Sequence, residues 1–127
     1  MDQNPGLKQR VVFLGPVDFQ DLPALYQFAY AAIHPSLYEG FGLTPLEAMS
    51  TGCPAVVSNA ASLPEVCGDC AIYVDPYDVQ DIAAGMKKII QDQNLHTELK
   101  KKGLVRSRAF TWAKTVEKHV EILEGLT

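Results

Sequence analysis

The sequence predicts an α/β fold, a parallel sheet of about four strands with helices on both faces. Short apolar runs alternate with longer segments of helical periodicity. The runs are apolar throughout rather than alternating, as strands covered on two faces are. Each run closes on proline, glycine, serine or aspartate, where a chain turns.

Val11-Val12-Phe13-Leu14, closed by Gly15-Pro16, reads as a first buried strand. From Asp18 to Tyr30, positions Leu22, Leu25, Tyr26 and Ala29 follow helical spacing. Ala31 to Pro35 is the second strand, and Tyr38-Glu39-Gly40-Phe41-Gly42 is a glycine-rich loop. A helix is expected from Thr44 to near Gly52, with Thr44 as cap, Pro45 at the first helical position and Glu47 completing a capping box. Pro54 to Ser58 is the clearest strand, Ser62-Leu63-Pro64-Glu65 opens a short capped turn, and Ala71 to Val74 is the fourth strand.

Beyond Asp78, a cap, the residues Val79, Ile82, Ala83, Met86, Ile89 and Ile90 form one apolar stripe. A further helix is expected from Asn94 to about Phe110, softly interrupted at Gly103, and Trp112, Val116, Val120 and Leu123 mark a last one. The stripe and Trp112 read as core, while the outer face of the last helix reads as apolar surface open to a partner. No linker or internal repeat divides the chain, so residues 1–127 read as one domain.

With 127 residues, 47% of them hydrophobic and 20% charged, the composition is that of an ordinary globular domain. A net charge of -4 leaves no basic face to neutralise phosphates, which argues against nucleic acid and against docking on anionic membrane by this segment alone. No apolar run approaches the roughly 20 residues of a membrane span, and the start has no signal-peptide pattern. Three cysteines in a chain of this size read as a reducing, cytoplasmic setting.

In parallel sheets, ligands sit beyond the carboxyl ends of the strands. Here those ends are Gly15-Pro16, Pro35-Ser36, Ser58-Asn59 and Asp75-Pro76, and the glycine loop follows the second. Gly40 and Gly42 flank Phe41 and let backbone approach a ligand, and the free amides opening the next helix suit a diphosphate. Glu39 and Glu47 bracket that place, and carboxylates accept well from sugar hydroxyls.

Structural explanations stand beside these. Glu47 could serve only its capping box, Gly40 and Gly42 only a turn, and Glu39 could be solvated. His34, near the proposed pocket, reads as a hydrogen-bonded structural histidine or as a ligand contact. Cys67-Gly68-Asp69-Cys70 has the spacing of a redox pair or half a zinc site. The other candidate ligands, Cys53, His34, His96 and His119, are scattered, so small buried cysteines are the reading adopted.

The string from Pro35 to Ser58, PSLYEGFGLTPLEAMSTGCPAVVS, closely resembles the E-x7-E region of the retaining, metal-independent glycosyltransferases. That large family (group 1, or family four, of the B-type two-domain fold) includes bacterial sugar-polymer synthases and sucrose synthase. Phe13-Leu14-Gly15-Pro16-Val17, Leu63-Pro64-Glu65-Val66 and Phe110-Thr111-Trp112 agree with it.

The resemblance implies a Rossmann-like C-terminal donor-binding domain of a hexosyltransferase that keeps the anomeric configuration. Glu39 would hold donor-sugar hydroxyls as the catalytic-site acid. The backbone of Gly40 and the amides of Phe41, Gly42 and Leu43 would face the sugar and diphosphate, and Thr44 the phosphate end. Glu47 would grip the ribose diol, and the backbone of Gly15, Pro16 and Val17 would lie beside the nucleobase. No Asp-x-Asp motif occurs, so neither a divalent ion nor another cofactor is expected beside the nucleoside diphosphate sugar.

The family opens this domain with two further strands, which supply an arginine and a lysine at the diphosphate, after a whole acceptor-binding domain. Lys8 and Arg10 do not match those cations, so the expectation is a partial domain that does not catalyse transfer alone. Its final helix, about 111–125, would pack toward the acceptor domain, and an open sheet edge could recruit a second copy as a homodimer. The competing functions are a non-catalytic assembly module with a vestigial nucleotide site and a sugar-nucleotide epimerase of the same architecture.

Overall fold

The computed structural model describes Gly6 and residues 9–126; Lys8 lies outside them. In chain order the elements are α1 (Leu22–Phe28), β1 (Ala32–His34), α2 (Leu43–Ser50), β2 (Ala55–Ser58), α3 (Leu63–Cys67) and β3 (Ala71–Val74). They are followed by α4 (Val79–Gln91), α5 (Gln93–Ser107) and α6 (Trp112–Glu124). The sheet is parallel and three-stranded in the order β1-β2-β3, with Ile33 beside Val56 beside Ile72 and His34 beside Val57 beside Tyr73.

β2 explains why its sequence is apolar throughout, because every residue of it is buried. Ala55 and Val57 pack with Met49, Leu63, Val66 and Cys67, beneath α2 and α3. Val56 packs on the opposite side with Ile72, Val74, Ile89 and Leu99, beneath α4 and α5. Helices therefore cover both faces, as the strand composition requires.

The expected strand at residues 11–14 does not form. Those residues take no strand conformation and are exposed, Phe13 by 78%. A strand's amides and carbonyls need a neighbour to bond, and among the described residues none pairs with the outer edge of β1. β1 itself shrinks to Ala32–His34 and is only partly covered.

Thr44 is not the cap of α2. The helix begins at Leu43, and Gly42 takes the capping position in a left-handed conformation with φ of 101° and no side-chain cap bond. Pro45 therefore sits at the third helical position instead of the first, and no capping box forms. Ser62 likewise does not cap α3: its backbone is helical, with φ of -79° and ψ of -12°, and its oxygen accepts from no amide of the helix. Asp78 does cap α4, accepting from the Gln80 amide at 2.8 Å, and Asp92 caps α5 through the Leu95 amide at 2.9 Å.

α5 runs unbroken through Gly103, where an added Cβ would lie 3.1 Å from Met49 Cγ. That glycine lets α5 press on α2. The apolar stripe of α4 is core only in part: Ile89 is buried, whereas Val79, Met86 and Ile90 are exposed. Trp112, expected in the core, is 80% exposed, and α6 contains no buried residue. Trp112 and Thr115 only border a cavity with Leu43 and Leu46 of α2.

Candidate functional site

His34 ends β1, and the chain then crosses Pro35-Ser36 into the glycine loop at the carboxyl end of the sheet. His34 Nε2 lies 2.7 Å from Glu39 Oε1, with side chains 23% and 30% exposed respectively. The His34 hydrogen bond foremost holds the Glu39 carboxyl below its ordinary value, against a desolvation that acts the other way. Glu39 is thus a charged acceptor fixed at the mouth of the loop.

The loop backbone is also fixed. Ser62 Oγ donates to the Glu39 carbonyl at 3.1 Å. Ser58 Oγ, at the end of β2, donates to the Ser36 carbonyl at 2.5 Å, and Ser36 Oγ donates to the Tyr38 carbonyl at 2.9 Å. Sequence reading missed Ser58 and Ser62 in this role, since each acts on a carbonyl more than twenty residues away. His34 alone gave a local signal, as a polar group at a strand end.

Gly40 has open space around it, whereas a Cβ on Gly42 would lie 2.7 Å from Leu63 Cδ2. Phe41 is exposed and packs on Phe110 in a T-shaped pair, 5.9 Å between ring centroids. The amides of Leu43 and Thr44, in the first turn of α2, have no intrahelical carbonyl to bond, and Pro45 has no N–H. Two amides and the helix dipole therefore face outward where an anion can bind.

Glu47 lies further along α2 and lines a cavity of about 210 Å³ with Phe19, Leu22, Pro23, Tyr26 and Ser50. Its carboxylate makes no hydrogen bond or ion pair with a described residue. Burial foremost, then the Glu47 charge, pushes the Tyr26 phenol up from its ordinary value. Pro16 and Val17 line a different cavity, of about 850 Å³, with Asp21, Leu25 and Phe28. Gly15 leads into it at φ of 67°.

Glu39, Gly40, Phe41 and Gly42 lie in the loop, and Leu43 and Thr44 open the helix that follows it. The structure does not bring Glu47 and Val17 into one cavity, because their cavities line opposing sides of α1. Glu39 lines neither.

Cys53, Cys67 and Cys70 are buried free thiols. Burial foremost pushes Cys67 up to about 11, which leaves it a protonated, unreactive group near neutral pH. Among the described residues, no three His, Cys, Asp or Glu side chains gather as a metal would need, and no helix is long and apolar enough to cross a membrane.

The family model described as glycosyl transferases group 1 matches residues 1–106. The chain belongs to that family. It is 46% identical over 100 residues to O-antigen chain mannosyltransferase B of Escherichia coli, covering 79% of this chain and 26% of that protein. It is 34% identical over 125 residues to mannosylfructose-phosphate synthase of Agrobacterium fabrum, covering 96% of this chain and 28% of that one. Among solved structures, sucrose-phosphate synthase from Thermosynechococcus elongatus superposes with a TM-score of 0.84 at 30% identity, over 94% of this chain and 31% of that chain. The chain thus spans little more than a quarter of the length of these two curated relatives.

Proposed function

We propose that this chain holds the nucleoside diphosphate sugar of a retaining, metal-independent hexosyltransferase, and that the hexose is mannose, the sugar in its relatives' names. The observation that carries the reading is Glu39, fixed by His34 in the loop that leads into the first turn of α2. Glu39 accepts from donor-sugar hydroxyls, and the amides of Leu43 and Thr44 take the diphosphate. As the glycosidic bond lengthens, positive charge grows on the sugar and negative charge on the departing diphosphate. Groups already aimed at those charges lower the barrier.

Glu47, with no partner among the described residues, accepts from the ribose diol, and the backbone of Gly15 to Val17 borders the base. Transfer itself requires an acceptor-binding domain, and the exposed apolar residues Trp112, Val116 and Val120 of α6 support packing against it. Its setting is the cytoplasm, with no nucleic acid partner.

Titration calorimetry with guanosine, uridine and adenosine diphosphates tests the donor site. One of them should bind, and Glu47→Ala should weaken it by roughly 10- to 100-fold, the worth of hydrogen bonds to a charged group. Because the cavities of Glu47 and Val17 face opposing sides of α1, a non-catalytic module with a vestigial site is the second reading. Failure of all three nucleotides to bind would select it. The relatives' names favour transfer over epimerisation.

The outer edge of β1, unpaired among the described residues, is proposed to pair with that of a second copy. Light scattering should then show a dimer at high protein concentration, and a monomer at every concentration rules the pairing out.

A further inference from the structure

We propose that His34, together with Ser58 and Ser62, presets Glu39 for the donor sugar, making His34 a positioning residue of the site. The inference rests on the donor reading of Glu39 given above. Side chains from three places in the fold converge on two loop residues, Ser36 and Glu39. β1 supplies the imidazole that meets the Glu39 carboxylate at 2.7 Å. β2 supplies Ser58 to the Ser36 carbonyl, and the residue before α3 supplies Ser62 to the Glu39 carbonyl.

A serine at a helix N-terminus ordinarily bonds its own helix. Ser62 accepts no such bond, and its hydroxyl donates to the Glu39 carbonyl. The Glu39 side chain is exposed enough to reach a ligand yet already fixed at one oxygen. With Oε1 held by the imidazole, Oε2 is the oxygen left to accept from a sugar hydroxyl, and its direction is set before binding. A glutamate fixed in advance loses less rotamer freedom when the sugar arrives, which favours the sugar over the bare diphosphate.

The test compares each nucleoside diphosphate with its hexose ester, for guanosine, uridine and adenosine, by titration calorimetry on the whole chain. The quantity read is the ratio of the two Kd values. His34→Ala should reduce the preference for the sugar ester about tenfold while leaving the diphosphate Kd unchanged. His34→Gln, whose amide can donate to the same oxygen, should restore most of it. Ser62→Ala, which leaves the imidazole in place, should reduce it about threefold. Carbon-detected NMR of the Glu39 carboxyl should show its titration moving to higher pH in His34→Ala, because the largest cause of its lowering is gone.

Nucleotide binding with an unaltered sugar preference in His34→Ala overturns the positioning role and leaves the donor reading standing. A chain that binds none of the nucleotides overturns both. Should His34→Ala not fold by circular dichroism, His34→Gln and Ser62→Ala decide it: an unchanged preference in Ser62→Ala, or its loss in His34→Gln, rejects the role.

Discussion

Gly42→Ala is expected to destabilise the chain by about 3 kcal/mol, measured as the shift of a urea unfolding curve. Two independent penalties meet at this position. A φ of 101° is a backbone region that L side chains avoid, at about 1 to 2 kcal/mol. The new methyl would also lie 2.7 Å from Leu63 Cδ2. Leu63 cannot withdraw, because it is wholly buried in a cluster with Met49, Val66 and Cys67. Overpacking of that kind costs about 1 to 3 kcal/mol. A domain's total stability is only about 5 to 15 kcal/mol, so the loss is large. Gly40→Ala is the control: open space surrounds Gly40, and its stability should change by less than about 1 kcal/mol. Equal effects at the two glycines would show that the left-handed turn into α2 is absent.

That turn also shows where the sequence was readable and where it was not. Thr44-Pro45 has the chemistry of a helix start, yet proline fits any first-turn position whose amide is unused, including the third. At Gly42 only a glycine leaves room for Leu63, a residue across the core that the local sequence does not reveal. β2, β3 and the Asp78 cap were legible because burial on two faces and a single side-chain bond are local facts. Residues 11–14 have strand propensity, but a strand exists only as half of a pair, and nothing in those four residues supplies the other half. Trp112 was misplaced for a related reason, since a helical period says which side is apolar and not what meets it. In the site, the loop and its glutamate could be read. Ser58 and Ser62 could not, because their partners are set by the tertiary fold.

Gly85→Ala decides between two opposed effects. In an isolated helix, replacing glycine by alanine stabilises by about 1 kcal/mol. At Gly85 of α4, however, the added methyl would stand 2.6 Å from Val74 Cγ1 and 3.0 Å from Val56 Cγ1. Both valines are buried, 2% and 0% exposed, and branching at Cβ leaves them few other rotamers. The helix must therefore lift from the sheet, and the expected net effect is a destabilisation of about 1 to 3 kcal/mol. Val74 borders the site, since its carbonyl accepts from the Asn59 amide at 3.0 Å, next to the Ser58 that fixes the loop. Val74→Ala removes the nearer methyl, so the double variant should be more stable than the sum of the single losses by about 1 kcal/mol. Strict additivity, or a Gly85→Ala chain more stable than the parent, would mean that α4 does not press on β2 and β3 at this residue.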